Sequence, residues 1–162
     1  MLFFCKSGLC LKVFGLLSWG HMRISVTEKD KQRLAQAGVL TLYLFGSRAS
    51  GHESAMSDFD FAVILEDPEI LRQVAEKQRR YLALYDILTD VIGRQTTEPV
   101  VDIVFLQEDV SLELKAHVIK HGVLLFDREP NVRANLEAFI MERAADFAPL
   151  LREMDDVILR RI

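Results

Sequence analysis

Apolar and polar positions fall into blocks whose period changes along the chain. Residues 1–21, MLFFCKSGLCLKVFGLLSWGH, are apolar without a sustained period and are interrupted by Lys6 and Lys12. From Met22 onward the punctuation is regular. Thr27-Glu28-Lys29-Asp30 reads as a capping box, a hydroxyl at the N-cap with a carboxylate three residues on, and predicts a helix to about Ala37 that Gly38 ends. Val39–Phe45 (VLTLYLF) is an apolar, β-branched and aromatic run suited to a strand buried on both faces. Residues 46–57 (GSRASGHESAMS) are small and polar, a loop or the first turn of a helix. Asp58–Leu65 (DFDFAVIL) is a second strand, closed by Glu66-Asp67-Pro68, and a long helix follows over about 69–91.

Gly93–Pro99 is a linker, and Val100–Leu106 (VVDIVFL) is a third strand. A helix over about 109–121 ends at Gly122, and Val123–Phe126 can add a short edge strand. From about Asn131 to Arg161 the apolar residues Val132, Leu136, Phe139, Ile140, Phe147, Leu150, Leu151, Met154 and Ile158 recur at three- and four-residue steps, which is helical. Pro149 is expected to kink or split that helix. The pattern predicts an α/β fold with few strands and no internal repeat.

Composition narrows the class. The 162 residues suffice for one domain with a real core; half are apolar and 27% are charged, as in ordinary globular proteins. A net charge of −4 argues against a general nucleic-acid binder, so nucleic acid is not expected as a direct substrate. Both cysteines, Cys5 and Cys10, lie in the first ten residues, which favours a reducing, cytoplasmic setting for the remainder. The opening stretch lacks the charge-first order and small-residue cleavage site of a signal peptide, and its lysines break any membrane span. Residues 1–21 therefore read as a mis-assigned start ahead of Met22, with a poor targeting signal as the alternative.

The chemistry concentrates in three places. Alternate strand residues share a face, so Asp58 and Asp60 point one way while Phe59 and Phe61 point into the core. Two carboxylates at about 4 Å repel by on the order of 4 kcal/mol at the dielectric of a protein surface, a cost that a divalent cation removes. Hard oxygen ligands suit Mg²⁺. Asp102 stands alone in the apolar run of the third strand, where a carboxylate is expensive unless it is paired or binds metal. If the two strands are neighbours, Asp58, Asp60 and Asp102 form the ligand set for two metal ions that grip an in-line displacement, with Asp102 placed to help deprotonate the incoming hydroxyl. Gly46-Ser47, directly after the first strand, allows close backbone approach to a phosphate; Ser47 can add a hydrogen bond and Arg48 a charge.

Each part has a bland reading. A glycine-serine turn is common, an isolated Asp-x-Asp is more often a solvated face than a metal site, and a lone strand Asp can be a structural acceptor. Their coincidence, with the third Asp on the next strand, favours the site.

YLFGSRASGHESAMSDFDFAVIL resembles the signature of the DNA-polymerase-β-like nucleotidyltransferase superfamily: glycine-serine, ten residues, then Asp-x-Asp, with a third aspartate on a later strand. The short chain is similar to the minimal nucleotidyltransferases, the MNT-domain proteins. The resemblance spans roughly residues 27–127 and is most specific at 42–65 and 100–106. It implies a small mixed sheet flanked by helices, a nucleotidyltransferase domain over 22–127 and a C-terminal helical segment over 128–162. It also implies catalytic, metal-binding Asp58, Asp60 and Asp102, and phosphate-binding Gly46 and Ser47. Arg48 and Ser57 complete the expected nucleotide contacts. Ser50 stands where many members carry a second arginine.

Such proteins are commonly antitoxins paired with a HEPN-domain ribonuclease. The resemblance thus implies Mg²⁺-dependent transfer of AMP from ATP to a tyrosine of a HEPN toxin. Two alternatives stand beside it: an aminoglycoside-type small-molecule adenylyltransferase, and an antitoxin that acts by binding alone. Elsewhere, His117 and His121 have zinc-like i, i+4 spacing but no evident third ligand, and read as helix-end residues. His52 is a loop histidine that either touches substrate or is solvated. Arg72, Lys77, Arg79 and Arg80 read as a solvated helix face, and Tyr81 and Tyr85 as half-buried.

Overall fold

The computed structural model describes residues 24–50, 57–93, 100–108 and 110–159. Residues 1–21 with Cys5 and Cys10, His52 and most of the Gly93–Pro99 linker lie outside the described residues. In chain order the elements are α1 (Glu28–Gln36), β1 (Val39–Phe45), α2 (Ser47–Ser50), β2 (Phe59–Leu65), α3 (Val74–Gly93), β3 (Val101–Phe105), α4 (Leu112–His121), β4 (Val123–Asp127) and α5 (Pro130–Leu159).

The capping box forms as the sequence predicts. The Thr27 hydroxyl accepts from the Asp30 backbone N–H, and the Asp30 carboxylate accepts from the Thr27 backbone N–H at 2.9 Å. Gly38, at φ 71°, turns the chain into β1, and every residue of that strand is buried. The sheet order is β3-β2-β1-β4, with β1 antiparallel to both β2 and β4 and β2 parallel to β3. The sheet is mixed, and the edge strand expected near Val123–Phe126 exists.

Two apolar clusters sandwich the sheet. On one face Leu42, Phe59, Phe61, Ile103 and Phe105 pack against Leu34 of α1 and Leu84, Leu88 and Ile92 of α3. Tyr81 and Tyr85 are half-buried against this cluster. On the other face Tyr43, Phe45, Ala62, Ile64 and Leu106 meet Val118 of α4 and Leu136 of α5.

Three expectations change. The helix expected over 69–91 is a 3-10 turn at Pro68–Arg72 followed by α3, because Gln73 is extended at φ −103°, ψ 107°. Pro149 does not split α5, which runs unbroken from Pro130 to Leu159; one missing donor leaves the hydrogen bonds of the flanking turns in place. Of the basic residues expected on a solvated face, Arg72 and Arg79 are exposed, whereas Lys77 and Arg80 are partly buried. Arg80 Nη1 donates to the Ala37 carbonyl at 2.5 Å, Lys77 pairs with Glu108, and Arg79 with Glu76 at 2.7 Å.

A polar network ties α5 to the sheet. Tyr43 Oη donates to Glu137 Oε1 at 2.5 Å, and Arg133 bridges Asp127 at 2.7 Å and Glu137 at 2.9 Å. Leu136 and Ile140 face inward, whereas Val132, Phe139 and Phe147 are exposed. The apolar repeat of α5 therefore serves two directions rather than one.

Candidate active site

The site lies where β2 and β3 begin and β1 ends. Asp60 and Asp102 are direct partners in the parallel register, flanked by the pairs Phe59↔Val101 and Phe61↔Ile103. Neighbouring strands stand about 4.8 Å apart, so these carboxylates start side by side on the same sheet face. Asp58, two residues before Asp60, precedes the strand. Phe59 and Phe61 point to the opposite face and are buried, which fixes the carboxylates outward.

On the other side, Asp60 pairs with Phe45, the last residue of β1, and Gly46 follows at φ 74°. A Cβ on Gly46 would stand 3.1 Å from Asp60 Cγ and closer still to Oδ2. Glycine is therefore required twice, by the left-handed backbone and by the approach of the carboxylate. Ser47 opens α2, whose first backbone N–H groups have no partner within the helix.

Electrostatics agree with the register. Burial raises the Asp60 carboxyl above its ordinary value, and the negative charges of Asp102 and then Asp58 raise it further. Carboxylate oxygens are hard donors of the kind that suits a divalent cation. As placed, the Asp102 carboxylate turns onto its own strand, Oδ1 accepting from the Ile103 N–H at 2.9 Å. Among the described residues, no three His, Cys, Asp or Glu side chains, Asp58, Asp60 and Asp102 included, are gathered tightly enough as placed to hold a metal ion. That leaves the zinc reading of His117 and His121 without a third ligand.

Asp102 is exposed rather than buried, at the start of β3, which is an edge strand of the sheet. Its cost in an apolar run, the reason for singling it out in the sequence, is therefore small; its register with Asp60 is the better reason. Burial raises the phenol of Tyr81, and the neighbouring Asp102 charge adds to the shift.

Arg48 has a different place from the one expected. Its Nε and Nη2 donate to the Ser57 carbonyl at 2.8 and 2.5 Å, and its guanidinium lies 3.8 Å from the Phe59 ring centroid. Arg48 thus clamps Ser57, the residue before Asp58, to the start of α2. Opposite that turn, the last turn of α4 forms the far wall of a cleft of about 500 Å³, lined by Gly46, Ala49, Ser50, His117, Lys120 and His121. The sequence reading passed over Lys120; its place one residue before His121 at a helix end was the available signal.

A mixed sheet with a glycine-serine turn against strand-borne aspartates defines the polymerase-β-like nucleotidyltransferase class. Residues 28–131 match the family model described as polymerase beta, nucleotidyltransferase, which is well over half of the chain, and the chain belongs to that family. A chain of the crystal structure of a toxin–antitoxin with AMP-PNP is similar with a TM-score of 0.56 and 20% identity, over 82% of this chain and 99% of that one. A chain of a mutant toxin–antitoxin MntA–HpeT gives 0.54 and 20%, over 80% and 96%. A chain from the complex of tri-AMPylated Shewanella oneidensis HEPN toxin with MNT antitoxin gives 0.50 and 17%, over 81% and 98%. At such identities the likeness is one of fold. No curated protein matches the sequence significantly.

Proposed function

We propose that this protein is an antitoxin that transfers AMP from ATP to a tyrosine hydroxyl of a cognate HEPN ribonuclease toxin and so silences it. The observation that carries the chemistry is the pairing of Asp60 with Asp102 across β2 and β3, with Gly46 against the Asp60 carboxylate. The acceptor and the donor draw support from solved relatives of the same fold, one a toxin–antitoxin with AMP-PNP and one a tri-AMPylated HEPN toxin with its MNT antitoxin. Residues 22–127 form the catalytic domain in this reading, and 128–162 the helical segment beside it.

Asp58, Asp60 and Asp102 would hold Mg²⁺, which supplies charge neutralisation and electrophilic activation of the phosphates when bound. The Gly46-Ser47 turn presents backbone N–H groups and a hydroxyl to the phosphates. Arg48 holds Ser57, and through it positions Asp58. The acceptor oxygen attacks the α-phosphorus, a new P–O bond forms, and the bond to the β-phosphate oxygen breaks with loss of pyrophosphate. Asp102, exposed at the start of β3, is placed to accept the acceptor's proton and release it to solvent.

The binding-only antitoxin reading rests on a separate observation: Val132, Phe139 and Phe147 leave an exposed apolar stripe on α5. Neutralisation of the toxin by the Asp58→Asn/Asp60→Asn double variant separates the two. If that variant still neutralises fully while transferring no AMP, contact suffices; if it fails to neutralise while still binding the toxin, transfer is the mechanism.

A further inference from the structure

The cleft beside the carboxylates has two unlike walls. One is the glycine-serine turn, uncharged at Gly46, Ala49 and Ser50; the other is the last turn of α4, with His117, Lys120 and His121. The Ser50 hydroxyl is tied into its own turn, donating to the Gly46 and Ser47 carbonyls at 3.1 Å. Arg48 is engaged by Ser57 and Phe59. Among the described residues, the basic side chains that line the cleft therefore come from α4.

Their position is built rather than incidental. A Cβ on Gly122 would clash with the Val118 carbonyl and stand 3.4 Å from the Leu44 carbonyl, so α4 ends hard against the end of β1. Gly122 N–H donates to the Val118 carbonyl at 2.7 Å, closing that turn. The His117 and His121 rings lie 4.9 Å apart between centroids, tilted at 46°, and with Lys120 they face the turn that carries Gly46. A preference for cations at helix C-termini accounts for basic residues in this turn. It does not account for their facing, across a cleft, the glycine that also touches Asp60.

We propose that this turn of α4 is the polyphosphate wall of the nucleotide site: Lys120, flanked by His117 and His121, takes the β- and γ-phosphates of a nucleoside triphosphate whose α-phosphate lies at the aspartates. The inference rests on the nucleotidyltransferase reading of the same site and adds a cation to it. Gly46 is common to both halves, lining the cleft while abutting the Asp60 carboxylate. An ammonium is a strong point-charge partner for phosphate oxygens, and imidazole N–H groups add directed donors. The volume, about 500 Å³, is in the range of small-ligand sites.

The test is calorimetric binding to the full chain with MgATP, AMP and inorganic tripolyphosphate as separate probes. For Lys120→Gln, affinity for ATP and tripolyphosphate should fall about tenfold or more, the size of a lost charge-assisted hydrogen bond, with AMP unchanged. Lys120→Arg should restore most of the loss, and His117→Gln/His121→Gln should weaken ATP further without touching AMP. All three side chains are exposed, so the fold should survive each change, which a thermal melt checks. Unchanged ATP affinity in Lys120→Gln, or equal losses for ATP and AMP, overturns the inference and leaves the nucleotidyltransferase reading intact. A wild-type chain that binds no MgATP overturns both.

Discussion

Gly46 and Asp60 occupy the same small volume: the carboxylate fills the space that a side chain at residue 46 would need. The turn and the strand that carries Asp60 are thus one unit, joined where β1 ends against β2 at the Phe45↔Asp60 pair.

Gly46→Ala should therefore act twice. The left-handed backbone costs about 1–2 kcal/mol for an alanine, and the clash displaces the Asp60 carboxylate besides. Denaturant unfolding should show a loss of at least that size. AMP transfer should fall by far more than the unfolded fraction explains.

Asp60 gives a pH prediction with a definite sign. Its carboxyl is raised by burial first, then by Asp102 and Asp58. The folded chain thus holds this proton more tightly than the unfolded chain. The associated stability is fully present below the ordinary carboxylate value of 3.8 and is lost as pH rises through the raised value. Without divalent cations, Asp60→Asn should melt higher than wild type at neutral pH, and the difference should vanish in acid. Added Mg²⁺ should raise the melting temperature of wild type and leave Asp60→Asn nearly unmoved.

Much of this was legible in the sequence. Thr27, Gly38, the β1 run and Gly122 each follow a local rule, and each feature stands where the rule puts it. What local rules could not supply was partnership at a distance. Arg48 read as a phosphate cation because its neighbours in sequence are the turn, yet its partners lie 9 and 11 residues on, at Ser57 and Phe59. Asp102 read as a costly carboxylate because its strand is apolar, but β3 is an edge strand and Asp102 is exposed on it. The break at Gln73 likewise has no glycine to announce it.

The Arg48 clamp predicts a result that a phosphate contact would not give. Arg48→Lys keeps the charge but loses the two-pronged contact to the Ser57 carbonyl and weakens the stacking on Phe59. Stability should fall by about 1–2 kcal/mol, from a lost charged hydrogen bond and a weaker cation–π contact. ATP affinity should change little while turnover drops, measured by denaturation, calorimetry and AMP transfer.

The Tyr43–Glu137–Arg133–Asp127 network should hold α5 on the sheet. Burial raises the Tyr43 phenol well above its ordinary value of 10.0, with the Glu137 hydrogen bond and charge adding to the shift. Its O–H stays a donor through the physiological range, and the contribution is lost as strongly alkaline pH ionises it. Tyr43→Phe should cost about 1–3 kcal/mol by leaving the part-buried Glu137 short of a donor. The loss should be seen in denaturant melts at neutral pH and shrink in alkali.

The central claim is that the three aspartates move AMP onto a HEPN toxin. Intact-protein mass spectrometry of a co-purified cognate toxin, incubated with MgATP and this protein, tests it most directly. The account predicts toxin heavier by one or more AMP groups, located by fragmentation on tyrosine, and unmodified toxin when Asp58→Asn/Asp60→Asn replaces the wild type. Toxin that stays unmodified with wild type, or is modified equally by the double variant, would contradict it.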